Sequence, residues 1–335
     1  MPTFTDITRF LSCQAFGTTS VPQLNLAGKT IIVTGANTGL GFEAAKHLAR
    51  MQASRLILAC RNVRKGEAAK LAILKDTACG NHTSIEIWEV DLARYASVLA
   101  FGKRVRSELN RLDGFIANAG IEPSEFSLAE GLEQTLTVNV ISTYLSAIVV
   151  LPKLKETAEK YGVDTRLTLV GSLIHYFAPD DQLDVTTDRD TFSALSDSKT
   201  ADMKSRYPLS KLIEHLIFTN FVRQVSTSAG THRIIINLVN PGWCASELTR
   251  YRSKGLVERL IFFMLGRTTE QGARTLVHGV TAPGQMDGQY LSECQVKPQS
   301  AFMNSDRGTM IARTLWDELV RRIKQIDVEA AGFLY

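Results

Sequence analysis

A tyrosine and a lysine in the second half of the chain have the types and the spacing needed for proton transfer. Tyr207 and Lys211 are four residues apart, so on a helix their side chains share one face. A free tyrosine has a pKa of about 10, and its use near pH 7 needs a shift of up to ~3 units. A neighbouring ammonium lowers the pKa of a phenol. The pair therefore predicts acid–base chemistry at the Tyr207 hydroxyl.

A glycine-rich turn near the N-terminus has the pattern of a phosphate-binding loop. It follows a β-branched run and precedes a helical pattern that starts at Phe42. Gly35 can make the tight turn, Gly39 lets backbone amides approach a pyrophosphate, and Gly41 permits close packing of helix on strand. The helix N-terminus adds its dipole and free N–H groups. The residues predicted to hold a dinucleotide here are Thr34, Gly35, Asn37, Thr38, Gly39, Leu40 and Gly41.

The end of the next apolar run indicates which dinucleotide is bound. NAD-dependent enzymes commonly place an acid there for the ribose 2′-OH, but this run ends in Ala59, Cys60 and Arg61. A guanidinium suits a 2′-phosphate through bidentate, charge-assisted hydrogen bonds. Arg61 therefore predicts NADP(H) as the cofactor, the alternative being that Arg61 and Arg64 are surface charges.

The elements that must position these groups alternate between strands and helices. Apolar, β-branched runs predict strands at 30–34, 55–60, 84–90, 114–117, 166–170 and 233–239. Apolar side chains at three- and four-residue spacing predict crossover helices at 42–51, 63–76, 97–109 and 132–160. The alternation predicts an α/β fold, a single Rossmann-type, doubly wound parallel sheet of about seven strands with helices on both faces. Ligands bind at the carboxyl edge of such a sheet.

The chain has no linker or composition break, which predicts one domain over residues 28–335. Residues 1–27 form an N-terminal extension that either packs on the body or is a mobile tail. The apolar side chains that could form its packing face are Phe4, Ile7, Phe10 and Leu11. Apolar residues that recur every four positions predict an amphipathic C-terminal helix near 309–325, packed on the core.

Composition excludes several classes of protein. The chain has 335 residues, 44% hydrophobic and 21% charged, and its net charge of +4 is spread without a basic run, so no nucleic acid is implied as a partner. Five cysteines form no paired spacing and no cluster with histidine, which predicts free thiols and no metal site. We expect a cytoplasmic protein, since no secretory signal pattern or stretch of 18 uncharged apolar residues is seen. Peripheral membrane contact stays open.

Short motifs follow the successive predicted strands. Asp91-Leu92 follows the third, Asn118-Ala119-Gly120 the fourth, Ser172 the fifth and Asn240-Pro241-Gly242 the sixth, while Asn139 lies between the fourth and fifth in Thr-Val-Asn-Val. The Thr-Gly-x-x-x-Gly-x-Gly spacing of 34–41 and the Tyr-x-x-x-Lys spacing of 207–211 add two further motifs. All of these motifs occur in the order typical of one enzyme family. Over about residues 28–290 the chain resembles the single-domain branch of the short-chain dehydrogenase/reductase family.

The resemblance implies a role for each of these residues. Tyr207 would exchange a proton with the substrate, and Lys211 would lower its pKa and hold the nicotinamide ribose. Ser172 would hydrogen-bond the carbonyl oxygen, and Asn139 would hold a water that links Lys211 to solvent. The hydride comes from the cofactor, so the protein supplies orientation and electrostatics. Further cofactor contacts are expected from Asp91, Leu92, Asn118, Ala119, Gly120, Pro241 and Gly242.

Two features resemble the retinol-dehydrogenase-like branch of the family. The segment between Ser172 and Tyr207 is long and rich in aspartate, and it begins with Ser172-Leu-Ile-His175. We expect His175 to line the pocket or shape the loop rather than act as a general base. One departure from the family pattern is Gly171, where many relatives have a second serine.

The expected substrate is a small hydrophobic carbonyl compound or alcohol. The family carries a variable substrate lid after Pro241-Gly242, here near 243–268, and its apolar run at 260–265 favours a bulky apolar ligand. These residues could instead pack on the body irrespective of a ligand. The segments 241–244 and 316–319 resemble fungal members, which implies reduction of a polyketide- or terpenoid-derived ketone in secondary metabolism.

Two other functions stay open at this point. One is the oxidation of a retinol- or steroid-type alcohol, because the chemistry runs in both directions. The other is a non-catalytic, NADP-binding regulatory protein, against which the intact set of Asn139, Ser172, Tyr207 and Lys211 argues. Whether two copies form a homodimer also stays open.

Overall fold

A sheet of eight strands forms the centre of the part of the chain that the structure describes. This structure is a computed structural model, and it describes residues 7–8, 11–14, 17–185, 189–226, 232–245, 248 and 265–335. The strands of the sheet are β1 (Thr30–Thr34), β2 (Arg55–Cys60), β3 (Ser84–Glu89), β4 (Gly114–Ala117), β7 (Thr165–Val170), β8 (Ile234–Asn240), β9 (Gln289–Ser292) and β10 (Gln295–Val296). A separate hairpin pairs β5 (Leu128–Ala129) with β6 (Leu132–Glu133).

The strand order is β10-β9-β8-β7-β4-β1-β2-β3, and all neighbours are parallel except β9 and β10. The chain runs outward from β1 through β2 and β3 and then returns past β1 to β4, from which β7, β8 and β9 extend the other half. The order therefore reverses between β1 and β4. The crevice at the carboxyl ends of these two strands is where such sheets bind ligands.

The strand beyond the predicted seven comes from a tight hairpin. β10 turns back on β9 through Glu293 and Cys294, whose φ angles are 51° and 58°. Two consecutive residues in the left-handed region suit a two-residue hairpin, which sequences commonly mark with glycine or asparagine. Neither residue is of those types, so the sequence contains no hairpin signal here.

Helices cover both faces of the sheet, as the alternating pattern predicts. They are α1 (Gly39–Arg50), α2 (Val63–Thr77), α3 (Tyr95–Glu108), α4 (Gln134–Tyr161), α5 (Thr191–Ala194), α6 (Met203–Ser226), α7 (Thr269–Val280), α8 (Asp306–Ile326) and α9 (Val328–Gly332). One core lies between the sheet and α1, α2 and α7, and the other between the sheet and α3, α4, α6 and α8. Alternate residues of β1 point into the two cores: Ile31 and Val33 into the first and Ile32 into the second.

Helix α4 is the most apolar helix of the second core. Contrary to the expectation from sequence, it is long and apolar enough to cross a membrane, but 94% of its most apolar stretch is buried inside the molecule. Its residues Thr137–Ser142 form a π-helical segment, which contains Asn139. π-Helical segments inside α-helices occur frequently at functional sites.

The described part of the N-terminal extension is docked on the body. Gln14 is buried, and its side chain accepts a hydrogen bond from the Trp243 N–H at 2.9 Å and donates one to the Leu265 carbonyl at 2.9 Å. The predicted apolar face is not what holds it, because Ile7 and Leu11 are exposed. The other two predicted members, Phe4 and Phe10, lie outside the described residues, as do 246–247 and 249–264 of the predicted lid.

Candidate active site

The glycine loop between β1 and α1 lies at the point where the strand order reverses. Gly35 has a φ of 67°, and its N–H donates to the Ala59 carbonyl of β2 at 2.7 Å. Gly39 has a φ of 59°, and a Cβ there would point into open space. Helix α1 begins at Gly39 with no side-chain cap from Thr38 and no acid in its first turn. Its N-terminal N–H groups are therefore available to an anionic ligand.

Asn118 joins this loop to the end of β4. Its side-chain Nδ2 donates to the Thr34 carbonyl at 2.8 Å, while Thr34 Oγ1 accepts from the N–H groups of Asn118 and Ala119 at 2.9 and 3.0 Å. A Cβ at Gly41 would lie 2.6 Å from Asn118 Nδ2 and 2.7 Å from the Gly35 carbonyl oxygen. Gly41 thus allows α1 to pack directly on the loop, which is the role its position predicts.

The residues around the loop fit a dinucleotide. The helix N-terminus can take a pyrophosphate, and the open space at Gly39 leaves room for it. Arg61 follows β2 directly and is exposed, as is Arg64 in the first turn of α2. Asp91 follows β3 and accepts a hydrogen bond from the Ala93 N–H at 3.0 Å. The adenine contact of Asp91 and Leu92 stays a prediction.

Asn139 connects the π-helical segment to two neighbouring elements. Its side-chain oxygen accepts from the Ile121 N–H at 2.9 Å, and its Nδ2 donates to the Ile121 carbonyl at 2.9 Å and to Ser210 Oγ at 3.1 Å. Both N–H groups of the amide are used in these bonds. The side chain therefore ties the loop after β4 to α6. The predicted water on Asn139 stays a prediction.

Ser172, Tyr207 and Lys211 come together at the carboxyl end of β7. Ser172 follows the strand, and its Oγ accepts from the Ile174 N–H at 3.3 Å. Lys211 is buried, and its Nζ donates to the Val170 carbonyl at 2.7 Å and to Glu214 Oε2 at 2.7 Å. The helix α6 therefore presents the tyrosine and the lysine to the end of β7 on one face, as their four-residue spacing predicts.

The surroundings of Tyr207 favour its protonated form. Burial raises the pKa of Tyr207 well above its ordinary value, the carboxylates of Glu122 and Glu214 add to the rise, and a hydrogen bond with Ser172 opposes it. The resemblance implies that Lys211 lowers the pKa of Tyr207. The protein alone does not show this lowering, because the Lys211 ammonium is paired with Glu214. In this state the hydroxyl is a proton donor.

Gly171 makes room for a buried histidine. A Cβ at this position would lie 2.5 Å from His215 Nε2, so a serine side chain would not fit beside this imidazole. The His215 ring stacks on His175 with 3.9 Å between ring centroids. His175 Nδ1 donates to the Ser172 carbonyl at 2.6 Å, since a carbonyl can only accept. The histidine pair thus supports the Ser172 loop from behind, in line with the loop role expected for His175.

The Asn240-Pro241-Gly242 turn holds the Ser172 loop from the other side. Asn240 Oδ1 accepts from the Leu173 N–H at 2.9 Å and from the Gly242 N–H at 3.1 Å, and its Nδ2 donates to Ser292 Oγ at 2.9 Å. Gly242 has a φ of 84°, a conformation that favours glycine. The turn therefore fixes the ends of β7 and β8 relative to each other.

Sequence reasoning missed two buried polar residues of this site, Glu214 and His215. The spacing of Lys211 and Glu214 by three residues on a predicted helix was a usable signal for an ion pair. No local pattern marks His215, whose partners Gly171 and His175 lie on another element. Among the described residues, no group of three or more His, Cys, Asp or Glu side chains could hold a metal ion.

Comparison with known proteins gives a consistent result over nearly the whole chain. The model of the short chain dehydrogenase family matches residues 29–163. The short chain dehydrogenase/reductase dmxR8 of Cryptosporiopsis is 41% identical over 327 residues, which cover 95% of this chain and 97% of that protein. The short-chain dehydrogenase anuD of Penicillium roqueforti is 36% identical over 322 residues, which cover 94% and 83% of the two chains.

Solved structures share the fold at lower sequence identity. The NADPH-bound carbonyl reductase from chicken fatty liver superposes with a TM-score of 0.58 and 19% identity, over 82% of this chain and all of that one. Salutaridine reductase from Papaver somniferum superposes with a TM-score of 0.55 and 19% identity, over 78% and 99% of the two chains. Sheet order, motif order and the similarity of the relatives agree, and the chain therefore belongs to the short-chain dehydrogenase/reductase family of NAD(P)-dependent oxidoreductases that act on CH–OH and C=O groups.

Proposed function

We propose that this protein is an NADP(H)-dependent reductase of a hydrophobic ketone or aldehyde, which oxidises the matching alcohol in reverse, and that it acts in fungal secondary metabolism. The observation that carries the proposal is the meeting of Ser172, Tyr207 and Lys211 at the carboxyl end of β7, which is separated by β4 alone from β1 and its glycine loop. A dinucleotide on that loop and a carbonyl group at Tyr207 would share one sheet edge.

The chain's own groups have defined tasks in this reaction. The nicotinamide, when bound, supplies or takes the hydride. The Tyr207 hydroxyl donates its proton to the carbonyl oxygen, which becomes the alcohol oxygen, and Ser172 hydrogen-bonds the same oxygen. Lys211 Nζ donates to two acceptors among the described residues, so one of its three N–H groups remains for the nicotinamide ribose.

The choice of NADP(H) is argued from Arg61. The side chain is exposed directly after β2, and no acid stands there for a ribose 2′-OH. A guanidinium binds a phosphate dianion by two parallel hydrogen bonds. The presence of NADPH in the carbonyl reductase of similar fold supports the same choice.

The substrate class and the cellular setting are argued from the sequence, the fungal relatives and the cysteines. An apolar lid favours a bulky apolar substrate, and the two relatives named above are fungal proteins. All five cysteines are free, which fits the cytoplasm.

The test is a screen of the purified protein for NADPH oxidation against hydrophobic ketones and aldehydes of graded size, with NADH in parallel. We expect NADPH-linked reduction that rises with the apolar surface of the substrate and that falls by at least about 10²-fold in Tyr207→Phe. Turnover only of small polar carbonyls, or equal use of NADH, would overturn the corresponding part of the proposal. NADPH binding without turnover of any compound would favour the regulatory alternative.

A further inference from the structure

A buried carboxylate outside the predicted catalytic set is paired with Lys211. Glu214 has no exposed surface, and it lies three residues after Lys211 on α6. Lys211 Nζ donates to Glu214 Oε2 at 2.7 Å, and to the Val170 carbonyl at the same distance. The ammonium is therefore held from two sides, and the ion pair lies beside the tyrosine–lysine motif rather than on the surface.

Packing alone does not account for this carboxylate. Glu214 Oε1 has no hydrogen-bond partner among the described residues. A buried acceptor without a partner lowers stability, and a buried ion pair is often no better for stability than apolar side chains of the same volume. The backbone here is fixed independently, because the Tyr144 hydroxyl donates to the Glu214 carbonyl at 2.6 Å. Stability and backbone position therefore give no reason for a carboxylate at residue 214, whereas its charge acts on Lys211.

We propose that Glu214 is a positioning residue: its buried carboxylate holds the Lys211 ammonium at the end of β7 and offsets its charge at the site where the Tyr207 hydroxyl donates to a carbonyl oxygen. The inference rests on the proposed function, since it concerns the same proton-transfer site. With the Lys211 charge offset, Tyr207 serves as a proton donor before the cofactor binds.

The charged and titratable groups that face Tyr207 come from three parts of the fold. Glu214, the partner of Lys211, lies on the same helix as Tyr207, Glu122 lies in the loop after β4, and Cys244 follows β8. Burial, Glu122 and Glu214 raise the pKa of Tyr207, and Cys244 adds a smaller rise. Removal of the Glu214 charge would leave Lys211 uncompensated and would lower this pKa.

Among the described residues, the titratable groups that face Glu214 are Lys211 and Tyr207 on its own helix and Tyr144 of α4. Burial raises the pKa of Glu214, and the ammonium opposes that rise. His215 is the next residue, and burial, His175 and Lys211 hold its pKa well below the ordinary value, so it carries no charge near neutral pH. The test therefore removes one charge of the Lys211–Glu214 ion pair.

The first measurement follows the ionisation of Tyr207 without any ligand. Protein labelled with ¹³C at the tyrosine ring carbon that bears the hydroxyl is titrated by NMR, and Tyr207→Phe identifies the resonance. We expect Tyr207 in Glu214→Gln to ionise at a lower pH than in the wild type, by about one unit, which is tenfold in the ionisation constant. Glu214→Asp moves the carboxylate away by one methylene, so its value should lie between the two.

The second measurement is the pH dependence of kcat/KM for ketone reduction. Loss of activity at high pH reports the deprotonation of Tyr207, so it should begin about one unit lower in Glu214→Gln while KM at neutral pH stays within about twofold. The matched control is Glu318→Gln, which removes a buried carboxylate of α8 that accepts from the Thr191 N–H at 3.1 Å. It should leave both measurements unchanged.

Unchanged ionisation of Tyr207 in Glu214→Gln, or an equal shift in Glu318→Gln, would overturn the inference. If Glu214→Gln does not fold, Glu214→Asp decides, and an unchanged value in that folded variant overturns it. The titration needs neither substrate nor cofactor. A shifted titration in a protein without reductase activity would thus refute the proposed function alone, whereas an active enzyme with an unshifted titration would refute this inference alone.

Discussion

The two halves of the site are built from different materials. In the cofactor half, glycines and backbone groups allow close approach within the chain and to the expected ligand, with Gly35 in the loop after β1 and Gly39 and Gly41 in the first turn of α1. In the catalytic half, buried polar side chains pair with one another, either within one helix, as Lys211 does with Glu214 on α6, or between elements, as His175 does with His215.

Because of this difference, the two halves should respond to different kinds of substitution. A backbone-built loop should respond to added side-chain volume and to the charge at its rim, because shape and dipole do the binding. A side-chain-built site should respond to the loss of single polar groups and to pH, because its buried groups depend on their partners. The predictions below separate these two kinds of response.

The largest effect is expected from Tyr207→Phe, which removes the proton donor and leaves the glycine loop intact. We expect kcat for ketone reduction to fall by about 10²- to 10⁴-fold, the range for loss of a general acid. The affinity for NADPH, measured by fluorescence titration, should stay within a few-fold of the wild type. Lys211→Ala should reduce both quantities, because that side chain serves the proton and the ribose. Equal turnover of Tyr207→Phe and wild type would remove Tyr207 from the catalytic assignment.

Arg61→Asp tests the rim of the cofactor half. A charged hydrogen bond contributes roughly 1.5–3 kcal/mol, so NADPH should bind about one to two orders of magnitude more weakly. NADH should bind as well as before or better, since a carboxylate can accept from the 2′-OH. The measurement is the ratio of kcat/KM for the two cofactors. A wild-type enzyme that prefers NADH, or an unchanged ratio in the variant, would reduce Arg61 to a surface charge.

Gly39→Ala and Gly41→Ala test how the loop uses its glycines. A Cβ at Gly39 meets only open space, so the variant should lose about tenfold in NADPH affinity through the bound phosphates but only ~1–2 kcal/mol of stability through its positive φ. A Cβ at Gly41 meets Asn118 and the Gly35 carbonyl, so overpacking adds a stability loss of about 1–3 kcal/mol. Urea unfolding and NADPH titration separate the two.

The matched control for Gly39 is Gly131→Ala. Gly131 has a φ of 79° and equally open surroundings, but it lies in the turn between β5 and β6. It should show a similar loss of stability and no loss of NADPH affinity. If Gly39→Ala also binds NADPH normally, the pyrophosphate does not lie at the start of α1.

The smallest effect concerns stability and pH in the catalytic half. The folded protein keeps His215 neutral, while the unfolded chain takes up a proton as pH falls through about 6.5, so stability is lost below that pH. His215→Leu should therefore reduce the loss of unfolding free energy between pH 7 and pH 5 by about 2 kcal/mol. Urea unfolding at the two pH values measures this, with exposed His82→Leu as control. Equal losses in wild type and His215→Leu would mean that His215 is charged in the folded protein.

The predicted elements agree with the structure where the local pattern was strong. The strands at 30–34, 55–60 and 114–117 have the predicted bounds, and the C-terminal helix predicted near 309–325 spans Asp306–Ile326. β9 and β10 were missed because they are four and two residues long and are joined by a turn without glycine or asparagine. The N-terminal extension could not be placed, because Gln14 docks on two segments that are more than 200 residues away in the chain.

The amino-acid sequence by itself determined the alternation of strands and helices, the glycine loop after β1 and the shared face of Tyr207 and Lys211, since each depends on spacing within a few residues. The tertiary structure alone decided which of the charged groups are buried and which rings meet. Glu214 neutralises Lys211 only because α6 is buried, and His215 fits only because Gly171 of a neighbouring element has no side chain. The physical reason is that the energy of a buried polar group depends on the dielectric environment and on its partners across the fold, which local sequence patterns do not encode.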